Sequence, residues 1–327
     1  MQPGGDAARM HARVRMPRAC GVRTARRGLG AARTMAQVLT TEQIAQWDRD
    51  GFLICRAVLS AEQAEMARQI TMVDPTLAAK ASHNANYSEE QLGTRGTTAA
   101  ANECDLPTPL KTVLSHAEFS PLTDVCSAWA ASARILRPLE QLFRSPVAHY
   151  YSILMRKEPN TGGWLYHQDY GYHYAQFLRP EGYASAMLAL APATKENGCL
   201  RVYRGSHNLG RLEHSRAGSQ QIADPDRVAR AAELLEEVFC ELHPGDVLYF
   251  HGNCLHASSP NLSDTSRWSI VYSYAAVDNP VVVSPDPTSE LPPGGLSDEV
   301  VESVVASHAT RLRQEGLLPV HGTVARV

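Results

Sequence analysis

At 327 residues, with 44% hydrophobic and 20% charged residues, the chain is long enough for one large domain or two small ones and can bury a sizeable core. A formal net charge of −3 gives no basic footprint for nucleic acid, and no apolar run approaches the roughly 18–20 residues that cross a bilayer. Seven scattered cysteines without a C-x-x-C pair fit a reducing compartment, so a cytoplasmic protein is expected.

Residues 1–36 are rich in Arg, Ala and Gly, with Asp6 as the only acid. They read as a disordered extension or an over-called start with the initiator at Met35 or, being Arg-rich and acid-poor, as a targeting segment with a mitochondrial destination. Thr41 is predicted to cap a helix from Gln43 to Asp50 that Gly51 ends. Phe52–Cys55 reads as a buried strand, and Ser60 as the cap of a helix burying Ala64, Ala67, Ile70 and Val73. The stretch 84–105 reads as a long loop, with Asn86, Arg95 and Asn102 placed to act in a lid. Pro121 to Phe143 reads as helix, with a break or restart at Pro138.

Beyond Pro146 the pattern changes to short strands, read at Val147–Met155, Tyr183–Leu190, Cys199–Tyr203, Val238–Leu242, Asp246–Phe250 and Arg267–Ala276. A helix from Asp224 to Glu237 interrupts them, Asn279–Gly295 is irregular, and Ser297 opens a last helix to about Gln314. The fold class expected is mainly β with flanking helices, its core a jelly roll or double-stranded β-helix of the cupin-like kind.

In an extended segment, residues i and i+2 point to the same side, so His167 and Asp169 can present an imidazole and a carboxylate to one point. With a further imidazole this becomes a two-His, one-carboxylate facial set, suited to non-heme Fe(II) and also compatible with zinc. Alone the pair is weak: 13 histidines and 14 aspartates give roughly 0.6 chance H-x-D matches. His116-Ala117-Glu118 is such a near-match, read as surface polar residues. His251 and His256 follow the turn and strand 244–250, and Arg267 opens the next strand. Alternation puts Arg267, Ser269, Val271 and Ser273 on one face and Trp268, Ile270 and Tyr272 on the other. An Arg on a polar face suits a carboxylate pocket, where its guanidinium makes a bidentate contact.

Several separated motifs, in order, resemble the phytanoyl-CoA dioxygenase family of Fe(II)- and 2-oxoglutarate-dependent oxygenases. They are Leu39–Gln43 with Asp50–Leu53, then Glu196–Val202 with Gly205-Ser206-His207, then Asn253 through Arg267. Arg204 stands where that family usually has Pro. The resemblance implies that His167, Asp169 and His256 ligate iron and that Arg267, supported by Ser258, pairs with 2-oxoglutarate. It leaves His251 as the rival ligand and gives His207 a structural role; His149 and His173 are read as able to face the pocket, with packed or surface positions favoured. It further implies a dioxygenase domain over 37–280, with 281–327 a C-terminal loop and helix packing on it. The implied reaction uses O2, with ascorbate as activator, and hydroxylates an unactivated C–H bond with release of succinate and CO2. Tyr166, Gln168, Tyr170 and Tyr172 are candidate substrate contacts. Segments 168–172 and 210–214 look more like members acting on free amino acids such as proline, with an acyl-CoA hydroxylase or a catalytically silent jelly-roll binder as alternatives. The partner expected is a small-molecule substrate, with no nucleic acid or membrane, acting on a monomer or homodimer.

Overall fold

The structure is a computed structural model, and it describes residues 38–83, 109–115, 118–217, 220–282, 288–289 and 291–319. The lid candidates Asn86, Arg95 and Asn102, and the His116-Ala117 pair, lie outside these residues. The described residues all fall in the compact unit Gln37–Val327.

The strands in chain order are β1 Phe52–Cys55, β2 Ala81–His83, β3 Leu110–Ser115, β4 Val147–Lys157, β5 Trp164–His167, β6 Tyr183–Ala189 and β7 Leu200–Tyr203. There follow β8 His214–Ala217, β9 Gln220–Ala223, β10 Glu237–Cys240, β11 Val247–His251, β12 His256–Ser258 and β13 Arg267–Ala276. A large sheet has the order β1-β11-β6-β13-β4-β3-β2, a smaller one β10-β7-β12-β5, and β8-β9 form a separate hairpin. Every ladder is antiparallel.

Period-two alternation gives the large sheet two different faces. Val247, Tyr249, Leu188, Ile270 and Tyr272 pack outward against a helical layer that contributes Trp47, Ile70, Trp129, Leu136 and Val304. Met187, Leu248 and Phe250 point the other way and share a second core with Leu200, Val202 and Cys240 of the small sheet. The two sheets therefore face each other as a jelly roll. Five cysteines of the described residues are free thiols, four of them buried. None of the described helices is long and apolar enough to cross a membrane.

Local chemistry corrects several predicted boundaries. The first helix runs Thr41–Asp50, capped by Thr40 rather than Thr41, because Gln43 is positioned to complete a reciprocal capping box with Thr40. Gly51 ends it at φ +79°, as the left-handed C-cap requires. The helical stretch 121–143 breaks at Ala131–Ser132, where Ser132 caps Ala133–Phe143, and Pro138 lies inside that second helix. The helix expected to reach Glu237 stops at Leu234, because Glu237–Cys240 pair with β7. The last helix is Asp298–Gln314, and its Val301, Val304, Ala309 and Leu312 enter the main core.

Candidate functional site

Two strands of the small sheet bring the first two side chains together. β5 and β12 pair antiparallel with His167 directly opposite His256, and their ring centroids lie 4.2 Å apart. The chain stays extended through Gln168 (φ −117°, ψ 133°) and then turns into the short helix Asp169–His173, so Asp169 falls beside the two imidazoles. Asp169 Oδ1 is 3.7 Å from His167 Nε2 and 3.5 Å from His256 Nε2. Among the described residues these three form a group whose donor atoms all lie within 4.8 Å of one another, a set that could hold a metal ion.

The surroundings orient each donor. His167 Nδ1 is 2.7 Å from Leu165 O and His256 Nδ1 is 3.0 Å from Cys254 O. A carbonyl only accepts, so each Nδ1 carries the proton and each Nε2 keeps a lone pair for a metal. Burial and the neighbouring His256 push His167 down to about 3, against the pull of Asp169, which keeps the imidazole neutral. For Asp169, burial alone would raise the carboxyl; His256, His167 and the Ser185 hydroxyl outweigh it and hold the group below the usual carboxylate range. Ser185 Oγ donates to Asp169 Oδ2 at 2.5 Å.

A cavity of about 440 Å³ opens from this centre, between the two sheets. One end is lined by Arg267, Ser258 and Ser269. Arg267 is 3% exposed, and burial pushes its guanidinium down to about 10. Its Nη1 donates to Gly198 O, and neither its Nε nor Ser269 Oγ has a hydrogen-bond partner among the described residues. A buried cation without a counter-charge is costly unless an anion arrives. The arrangement therefore fits a ligand carboxylate close to the metal set. The other walls include Tyr150, Tyr151, Tyr172, His173 and Trp164, with Lys111 over the Trp164 ring at 5.2 Å.

The structure thus gathers His167, Asp169, His256, Arg267 and Ser258 around one cavity, but of the four candidate substrate contacts it places only Tyr172 there. Tyr166 faces away, stacks on Tyr203 at 4.8 Å and hydrogen-bonds Glu237, because β5 alternation sends it to the opposite side from His167. Gln168 is fully buried as a staple. Its amide donates to Gly210 O and Asn253 O, and its oxygen accepts from Leu212 N, which spends its side-chain bonding on the backbone. Tyr170 packs in a cluster with Phe177 and Tyr183, its hydroxyl donating to Phe177 O.

His251 accepts from Asn253 N and packs near His207 and Trp47, outside the donor group. His207 Nε2 lies 3.3 Å from Asp48 O, in the turn Ser206–Leu209. His149 stacks on Phe119 with Nε2 2.8 Å from Ser152 Oγ, a packing position. His173 takes the pocket-facing alternative rather than the favoured packed or surface one: it lines the cavity, 3.2 Å from the Tyr151 hydroxyl, and burial pushes it down to about 4. Sequence reasoning missed Ser185, although a lone Ser in the apolar run Tyr183–Ala189 was a visible signal of a buried hydroxyl needing a partner.

The sequence matches the family description "Phytanoyl-CoA dioxygenase (PhyH)" over residues 47–269. Phytanoyl-CoA dioxygenase 1 of Oryza sativa subsp. japonica is 28% identical over 255 residues, covering 71% of this chain and 87% of that protein. L-proline trans-4-hydroxylase of Streptomyces griseoviridis is 26% identical over 194 residues, covering 52% and 72%. Among solved structures, EctD from S. alaskensis with 2-oxoglutarate and 5-hydroxyectoine has a TM-score of 0.56 at 24% identity, covering 74% of this chain and 78% of that one. The epimerase SnoN in complex with Fe3+, alpha ketoglutarate and nogalamycin RO gives 0.55 at 19%, covering 75% and 86%. At these identities the two structures establish a shared fold.

Proposed function

The chain belongs to the phytanoyl-CoA dioxygenase family of 2-oxoglutarate-dependent dioxygenases, and on that premise we propose that it hydroxylates an unactivated C–H bond of a small molecule, using Fe(II) held by His167, Asp169 and His256. The observation that carries this reading is the pairing of a metal-competent donor set with a buried, uncompensated Arg267 in one cavity. Iron bound there supplies oxygen activation coupled to decarboxylation of 2-oxoglutarate to succinate and CO2. The protein's own part is positional. His167 and His256 offer lone pairs at Nε2, Arg267 anchors the distal carboxylate, and aromatic side chains wall the rest of the cavity. O2 is the co-substrate of this reading and ascorbate the activator that keeps iron reduced.

For the substrate we favour a free amino acid such as proline. The Streptomyces relative carries that activity in its name, and a cavity of about 440 Å³ suits a small ligand beside the keto acid. A second reading, an acyl-CoA, is favoured by the rice relative. Purified protein given Fe(II), ascorbate, 2-oxoglutarate and air should release succinate, and one class within a panel of free amino acids and acyl-CoAs should raise the rate. His167→Ala should abolish the release. A folded protein that makes no succinate with any member of the panel would instead be a silent ligand binder.

A further inference from the structure

A second buried cation lies behind the Arg267 end of the cavity. Lys157 ends β4 directly opposite Arg267 of β13, so the two side chains leave the large sheet on the same face. Lys157 is fully buried, and like charges opposite each other in a sheet disfavour the pairing. Lys157 Nζ donates to Ser258 Oγ at 2.9 Å, to Gly198 O at 3.4 Å and to Ser259 O. Gly198 O also accepts from Arg267, so one carbonyl ties both cations together. Gly198 can do this only as glycine: its φ is +74°, and a Cβ there would fall 2.1 Å from Ser259 O.

Ser258 Oγ accepts a second hydrogen bond, from Trp164 N at 3.3 Å. A hydroxyl oxygen has two lone pairs and one proton. With both lone pairs occupied, Ser258 has only its proton left to offer, and it lines the cavity. We propose that Lys157 is a positioning residue that fixes Ser258 as an obligate hydrogen-bond donor, so that this end of the cavity selects a carboxylate over an uncharged group in its place. The proposal rests on the 2-oxoglutarate reading above. Lys157 acts through Ser258, and its charge also adds to the field that Arg267 sets up.

The test is anaerobic calorimetric titration of Mn(II)-loaded protein with 2-oxoglutarate, and with its 5-methyl ester, whose distal group is uncharged and leaves the keto acid open. Lys157→Met should weaken 2-oxoglutarate binding by about tenfold, leave Mn(II) affinity unchanged and narrow the preference for acid over ester. Ser258→Ala should do the same, and the double variant should lose no more than the worse single one, because the two residues act as a unit. If Lys157→Met does not fold, Ser258→Ala carries the test: unchanged 2-oxoglutarate affinity in it overturns the proposal. Wild-type protein that binds no 2-oxoglutarate overturns the functional reading and the proposal with it. Wild-type protein that binds it, while folded Lys157→Met binds it equally or the two losses add, overturns the role of Lys157 alone.

Discussion

Asp169 divides its two oxygens between tasks: Oδ1 faces the two imidazoles and Oδ2 accepts from Ser185. Because Ser185 fixes the carboxylate's rotation, Ser185→Ala should weaken Fe(II) or Mn(II) binding by about tenfold, measured by metal titration, with the fold intact. Equal metal affinity would mean that β5 and β12 alone set the geometry. At this scale the H-x-D pair and the face of Arg267 were legible because strand alternation is local, while joining them to His256, about ninety residues on from the pair, took the family resemblance. The contacts of Tyr166, Gln168 and Tyr170 were not. Nearness to a ligand in sequence says nothing about direction: Gln168 is turned from the cavity by the strand pleat, and its staple to Gly210 and Leu212 spans more than forty residues. Lys157 was equally hidden, since its position opposite Arg267 depends on a strand register that no local pattern states.

Elements far from the cavity hold its scaffold, and one such contact is sensitive to pH. Asp74, between the helices Ala61–Val73 and Pro75–Ala78, accepts from His308 Nε2 at 2.8 Å and from Thr76, joining the last helix to these two. His308 Nδ1 accepts from Val125 N at 3.1 Å, so its remaining proton points at Asp74. Burial would raise the Asp74 carboxyl, but His308 and Thr76 outweigh it and hold it well below the usual range. A carboxyl depressed in the folded state contributes stability that is complete above its unfolded pKa of about 3.9 and is lost as pH falls towards the folded value. Thermal melts should therefore be flat in this contribution near neutral pH and drop below about pH 4. Asp74→Asn should lower stability at pH 7 by about 2 kcal/mol and flatten the acid limb; an unchanged acid limb would show that Asp74 is not a principal acid-sensitive group. Arg204, where the family usually has Pro, ties Asp50 and Glu236 at 2.5 and 2.8 Å and so bridges the first helix to the small sheet's edge. Helix caps and long strands were readable because they are written in adjacent residues. The short strands β2, β3, β5 and β12 exist through pairing with distant partners and carry little pattern of their own.

Across the whole molecule, the jelly roll was legible from evenly punctuated strands after Pro146, and it explains where the site must sit. One face of the large sheet is taken by the helical layer, and among the described residues β5, β12 and β13 line an apolar-walled space between the sheets. That placement puts the metal set at the small sheet and the cationic end at the large one, with room between them for a keto acid bridging the two. The most direct test of this arrangement is turnover of 2-oxoglutarate with Fe(II) under oxygen-18 gas, with mass analysis of the succinate. Succinate that carries one oxygen-18 atom, and whose formation is lost in Asp169→Ala and falls at least about a hundredfold in Arg267→Ala, is the predicted result. Unlabelled succinate, or labelled succinate formed equally well without Asp169 or Arg267, would contradict it.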